Sequence, residues 1–172
     1  MKKLLLGTWM ALGAMPALAA EVPDWVMNPE YPGGIAAAEC VVSSGVLSID
    51  RQQAVATARV ALAQQIEVRV KNVDKLYVER ISQGTDKPQV KTTFERASEQ
   101  LTDRVLNNSR VVKTEITKDN QLCLMVALTP EGTREYFKEL VKVADNPMTP
   151  ELENELFESF RVRNAGPARK QS

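Results

Sequence analysis

The chain has 172 residues, 22 Lys and Arg against 22 Asp and Glu, and no His. Without His it lacks the commonest general base, the side chain that titrates near neutrality and the usual transition-metal ligand. A formally neutral chain with 5% aromatic residues offers neither the basic surface nor the stacking platform that nucleic acids require.

The first element reads as a cleaved leader. Lys2 and Lys3 precede an apolar run from Leu4 to Met15. That run falls short of the ~20 residues needed to cross a bilayer. Pro16 ends it, and Ala17-Leu18-Ala19 has the small-x-small pattern of a signal-peptidase site. Residues 1–19 are therefore assigned as a signal peptide, and the expected location is the periplasm. No later segment is apolar enough to span a membrane. Removing Lys2 and Lys3 from 22 basic residues leaves 20 against 22 acidic ones. The remaining chain, about 150 residues, suits one domain with one core.

Residues 20–34 form an irregular arm, because Pro23, Pro29, Pro32, Gly33 and Gly34 exclude a helix or a central strand. Trp25 within it either pins the arm to the domain or anchors a neighbouring subunit. Residues 35–144 make the domain. Ile35–Val42 is a short apolar strand that runs into the turn Ser43-Ser44-Gly45. Asp50 and Gln53 have the spacing of a capping box and are expected to open a long helix. Val55, Leu62, Ile66, Val73 and Tyr77 recur along it, flanked by Ala54, Ala58 and Ala61. The helix should reach about Ile81, some ~45 Å, with Val68-Arg69-Val70 the expected place for a bend.

A polar loop, Gly84–Pro88, leads to Thr92 or Thr93 and a second helix. Its buried face is Phe94, Ala97, Leu101 and Val105, and Asn107-Asn108-Ser109 should end it on a left-handed Asn. A hairpin follows. Val112, Thr114 and Ile116 alternate with Val111, Lys113 and Glu115 up to the turn Lys118-Asp119-Asn120. The return strand runs from Leu122 to Leu128, with Cys123, Met125 and Ala127 on one face. Thr129-Pro130-Glu131 starts a third helix. Residues 145–172 hold a linker, an amphipathic helix opened by Thr149-Pro150-Glu151, and a basic tail. The apolar face of that helix carries Leu152, Leu156, Phe157 and Phe160, and either folds back on the domain or docks on a neighbour.

The order β-α-α-β-β-α, without βαβ alternation, predicts an α+β fold. A small three-stranded antiparallel sheet carries helices on one face, plus an appended C-terminal helix. Cys40 and Cys123, about 80 positions apart, are too distant for a CxxC motif and are paired as a disulfide candidate in an oxidising compartment. Two buried thiols are the alternative.

No constellation points to catalysis. Glu151, Glu153, Glu155 and Glu158 lie on an exposed helix rather than in a cleft. Ser43-Ser44-Gly45 lacks the G-x-S-x-G spacing and any His. Asp119-Asn120 is a turn, not a calcium loop. Arg161, Arg163, Arg169 and Lys170 form a thin basic end. No catalytic, cofactor or metal residue is assigned.

Pro23-Asp24-Trp25-Val26 with Asn28-Pro29 resembles the P-x-W-V-x-N-P opening of the twenty-kilodalton outer-membrane lipoprotein (FlgP-like) family of Gram-negative bacteria. Ala54, Ala58-Arg59, Leu62-Ala63, Ile66, Val68 and Val70 resemble that family's first helix, and Leu124–Leu128 its closing strand. The likeness covers residues 22–142. It implies a non-enzymatic assembly protein associated with the flagellar basal body or the outer-membrane envelope, peripheral to that membrane, whose partners are other protein subunits or further copies of itself. Ala20 stands where typical members carry the lipidated Cys, so no lipid tether is expected. The alternative is a periplasmic carrier or sensor of a small apolar ligand, with Met125, Met27 and Trp25 as candidate lining residues.

Overall fold

The hairpin organises the molecule. In the computed structural model, which describes residues 22–82 and 93–162 without the side chains of Thr102, Arg104 and Val105, eight elements follow one another. They are α1 (Asp24–Met27), β1 (Ile35–Val42), α2 (Leu47–Ser82), α3 (Phe94–Asn108), β2 (Arg110–Ile116), β3 (Gln121–Leu128), α4 (Pro130–Ala144) and α5 (Pro150–Arg161). The leader, the Gly84–Pro88 loop, the basic residues Arg163, Arg169 and Lys170, and the burial expected of Val105 lie outside the described residues.

The sheet is antiparallel in the order β1-β3-β2, as expected of an α+β chain. β3 is central, and every residue from Leu122 to Leu128 is buried. Its alternation divides the core in two. Leu122, Leu124, Val126 and Leu128 face the helices, whereas Met125 and Ala127 join Ala36 on the opposite face. β2 is a mostly exposed edge strand, with a bulge between Val111 and Lys113. The bulge corrects the simple alternation read from the sequence. Val111 pairs with Val126 and Thr114 with Leu124, so Val111 shares the helix-side face and Val112 becomes the extra residue. The turn closes through Asn120 N–H donating to Thr117 O at 3.0 Å, with Asn120 at φ 55°.

α2 departs from expectation in three ways. It begins at Leu47, so Asp50 lies inside its first turn and is not its cap. It runs without interruption through Val68-Arg69-Val70 for 36 residues, about 54 Å at ~1.5 Å per residue. Its buried stripe is Ala54, Ala58, Leu62 and Ile66, then Val70, Val73 and Tyr77, with Val55 only partly buried. The small residues are the reason. Ala54 and Ala58 share a core with Ala37 of β1, which lets helix and strand backbones approach closely.

Threonine caps start the next three helices. Thr93 accepts from Arg96 N–H at 3.3 Å, Thr129 from Gly132 N–H at 3.1 Å and Thr149 from Leu152 N–H at 3.3 Å. Pro130 and Pro150 take first-turn positions that need no N–H donor. Asp74 of α2 adds a second cap to α3, accepting from Phe94 N–H at 2.8 Å and Glu95 N–H at 3.0 Å. The left-handed Asn expected at the end of α3 is absent. Ser109 there is extended, and the left-handed cap falls on Asp145 after α4. The Ser109 hydroxyl instead donates to Leu106 O at 2.7 Å, occupying a terminal carbonyl that an αL cap would otherwise serve.

α5 belongs to the same core as the domain. Phe160 stacks on Tyr136 at 5.7 Å, and Phe137 meets Phe157 at 5.3 Å. Arg69 Nη1 donates to Phe160 O at 2.8 Å and Arg161 O at 2.7 Å, holding the end of α5. The linker is pinned by Tyr77 Oη, which donates to Pro147 O at 2.9 Å.

Candidate functional site

Among the described residues, exposed aliphatic side chains occur at the hairpin end of the sheet. Val42 there is 74% exposed and Ile116 58% exposed. They oppose Gln121 and Leu122, the first residues of β3. Val46, Leu47 and Ile49, where the chain enters α2, are exposed as well. Val42, Val46, Leu47 and Ile49 thus flank the Ser43–Gly45 loop, while Ile116 lies across β3 on the other edge of the sheet. Isolated exposed aliphatics are ordinary, whereas a contiguous group of them is the usual make-up of a contact surface.

That loop is held from beneath. Asp50 is 1% exposed. Its Oδ2 accepts from Ser43 Oγ at 2.8 Å, and its Oδ1 from Ser44 N–H at 3.0 Å and Ser44 Oγ at 2.6 Å. Ser43 N–H donates to Asn120 O at 2.9 Å, tying the loop to the hairpin turn. Gly45 completes the turn at φ +88°, a conformation that L side chains rarely adopt. The Ser44 hydroxyl and amide hold the Asp50 carboxyl below its ordinary value, against the opposing effect of burial. A buried carboxylate devoted to a surface loop fixes the direction in which Val46 and Leu47 project. The sequence shows this as Ser-Ser-Gly followed by Asp, a signal easily taken for a turn and a separate helix cap.

The other sequence candidates fall elsewhere. Cys40 and Cys123 sit directly opposite each other in β1 and β3 and form a disulfide, with Cα atoms 4.0 Å apart. Trp25 lies over the outer sheet face. Its Nε1–H donates to Glu115 at 3.1 Å, and the Lys113 ammonium stands 5.1 Å from its ring centroid. With Tyr31 it packs on Ala36, Met125 and Ala127, so the arm is pinned within the molecule. The arm also contains one helical turn, α1, which the sequence reading excluded. Pro23 caps it and Asp24 opens it, and Asn28 N–H closes it on Asp24 O at 3.0 Å. Gly34 admits the arm beside the sheet, since a Cβ there would stand 2.2 Å from Leu128 O.

Leu156, Phe157 and Phe160 are buried in the core and Leu152 packs partly against it. The apolar face of α5 is therefore spent inside the molecule, not presented to a neighbour. Met125 is buried beneath the arm and Met27 is 68% exposed, so these two do not line one pocket with Trp25. The sequence reading missed Arg69 and Asp74, which serve the ends of α5 and α3. Among the described residues, no cluster of three or more His, Cys, Asp or Glu side chains is arranged to hold a metal ion. No helix among them is long and apolar enough to cross a membrane.

No family model, curated protein or solved structure matches this chain.

Proposed function

We propose that this chain is an exported, non-enzymatic assembly protein of the Gram-negative envelope, which joins further copies of itself through its apolar hairpin end. The observation that carries this reading is the set Val42, Val46, Leu47 and Ile49, exposed on either side of the Ser43–Gly45 loop that Asp50 holds. Pre-organised apolar groups lose little freedom on docking, so more of their burial appears as affinity. The leader pattern and the closed Cys40–Cys123 bond support a periplasmic setting. The Pro23–Pro29 likeness supports an association with the flagellar basal body or the outer-membrane envelope.

A photo-crosslinking amino acid in place of Ile49, introduced in cells, tests the proposal. The expected product is a covalent dimer of the chain, recovered from the periplasmic or envelope fraction. A chain that stays cytosolic, or gives no self-crosslink from this position while remaining folded, contradicts it.

A second reading, carriage of a small ligand with an apolar body, is favoured by a cavity of about 690 Å³ between α2 and α3.

A further inference from the structure

Two helix faces enclose that cavity. On α2 the lining steps through Val60, Ala63, Glu67 and Val70, and on α3 through Glu95, Ser98 and Leu106. Intervals of three and four residues place the α2 set on one side of its helix, and Leu106 lies about two turns beyond Ser98 on α3. The volume of about 690 Å³ lies inside the ~300–1,000 Å³ typical of small-molecule sites.

The lining is graded with depth. Val70, Ile66, Ser98 and Tyr136 are buried, and Ser98 Oγ is hydrogen-bonded to Tyr136 Oη at 2.6 Å. Glu67, Glu99 and Arg96 are exposed and Glu95 is half-buried. The deep part is thus mainly apolar, with one hydroxyl pair, and the mouth is charged. Three lining carboxylates, Glu67, Glu95 and Glu99, face one lining guanidinium, Arg96. Lys71 stands beside the mouth, 2.6 Å from Glu67 and 3.8 Å from Glu95. Among the described residues, one negative charge is in excess even with both cations counted.

We propose that this cavity binds a cationic amphiphile: an apolar chain or ring, seated against Ala63, Ile66 and Val70, that carries an ammonium group held at Glu67 and Glu99. The proposal rests on the carrier reading and adds the charge of the ligand. Burial of the apolar body supplies the attraction, and the mouth discriminates by sign, since like charges brought together there repel. Lys71 is a built-in competitor for the same carboxylates.

Isothermal titration of the purified protein with decylamine and, separately, with decanoate, both below micelle formation, tests this. The expected result is saturable binding of one decylamine per chain, at least tenfold tighter than decanoate. The double variant Glu67→Gln/Glu99→Gln should weaken decylamine about tenfold and leave the folded circular dichroism unchanged. Lys71→Gln should tighten it several-fold, an effect that general damage to the helices would not produce. Ala63→Trp should block the cavity. Equal binding of decylamine and decanoate, or indifference to the Glu and Lys variants, overturns the charge assignment and leaves the carrier reading standing. No saturable binding of either probe overturns both.

Discussion

One strand supplies both faces of this sheet, and the two faces are covered by different means. Toward the helices β3 presents Leu122, Leu124, Val126 and Leu128, which share a core with residues from α2, α3, α4 and α5. Toward the arm it presents Cys123, Met125 and Ala127, opposite Cys40, Ala38 and Ala36 of β1. Large aliphatics stand where four helices cover them. Alanines, Met125 and a disulfide stand where, among the described residues, the cover is residues 22–34. Burial free energy scales with the apolar area removed from water, so the thin face gains less from burial and has a covalent tie instead. At the hairpin end Val42 and Ile116 stand exposed, and Val46, Leu47 and Ile49 are exposed where the chain enters α2.

The largest effect is expected on the thick face. Phe160→Ala should lower stability by about 3–5 kcal/mol in urea denaturation. The transition should stay single, because α5 shares the domain core. A separate early transition would make α5 an independent unit and dissolve the comparison.

Next comes the tie. Replacing Cys40 and Cys123 together with Ala should cost about 2–4 kcal/mol, read by the same denaturation. A loss well below 1 kcal/mol would mean that the outer face is held by the arm alone.

Trp25→Ala should cost less, about 1–2 kcal/mol, and its readout is local. Met125, 3% exposed under the arm, should be oxidised by peroxide several-fold faster, as followed by mass spectrometry. An unchanged rate would show that Trp25 does not hold the cover in place.

The smallest effect is a change in pH dependence at the two ends of α2. Asp50 titrates below its ordinary 3.8 because Ser44 donates to it. Its contribution is full above that value and is lost as the pH falls through the lower folded value. Asp50→Asn should therefore remove part of the acid-induced loss of stability and loosen the loop. Asp74 has the opposite shift, raised chiefly by burial although two α3 amides oppose it. Its folded form holds the proton longer, so its contribution falls as the pH rises through the folded value, and Asp74→Asn should flatten that slope. Melting temperatures between about pH 3 and 6 separate the two signs.

Much of this fold was readable where one rule dominates. The hairpin was visible from alternation plus a turn that tolerates φ > 0 at Asn120. The Thr-Pro-Glu starts of α4 and α5 were visible because Thr and Pro act locally. The start of α2 was misplaced because an Asp before an apolar stripe looks like a cap. Here it is drawn backward into the helix by Ser43 and Ser44. Arg69 gave no signal, since a charge between Val68 and Val70 reads as a solvated face. Its partners, the carbonyls of Phe160 and Arg161, lie 91 and 92 positions away. The bulge at Val112 was equally silent, because simple alternation fits the strand from either face. The apolar end was hidden for a different reason. Val42 ends β1 while Leu47 and Ile49 open α2, and the intervening Ser-Ser-Gly reads only as a turn, so their shared exposure has no periodic signal.

Sedimentation velocity tests the claim that this end builds assemblies. Purified protein should show mass-action growth beyond the monomer as its concentration rises. The variant Leu47→Asp/Ile49→Asp, altered at two exposed positions, should stay monomeric with an unchanged melting temperature. A wild-type protein that remains monomeric at every concentration, or a double variant that assembles equally well, would contradict the account.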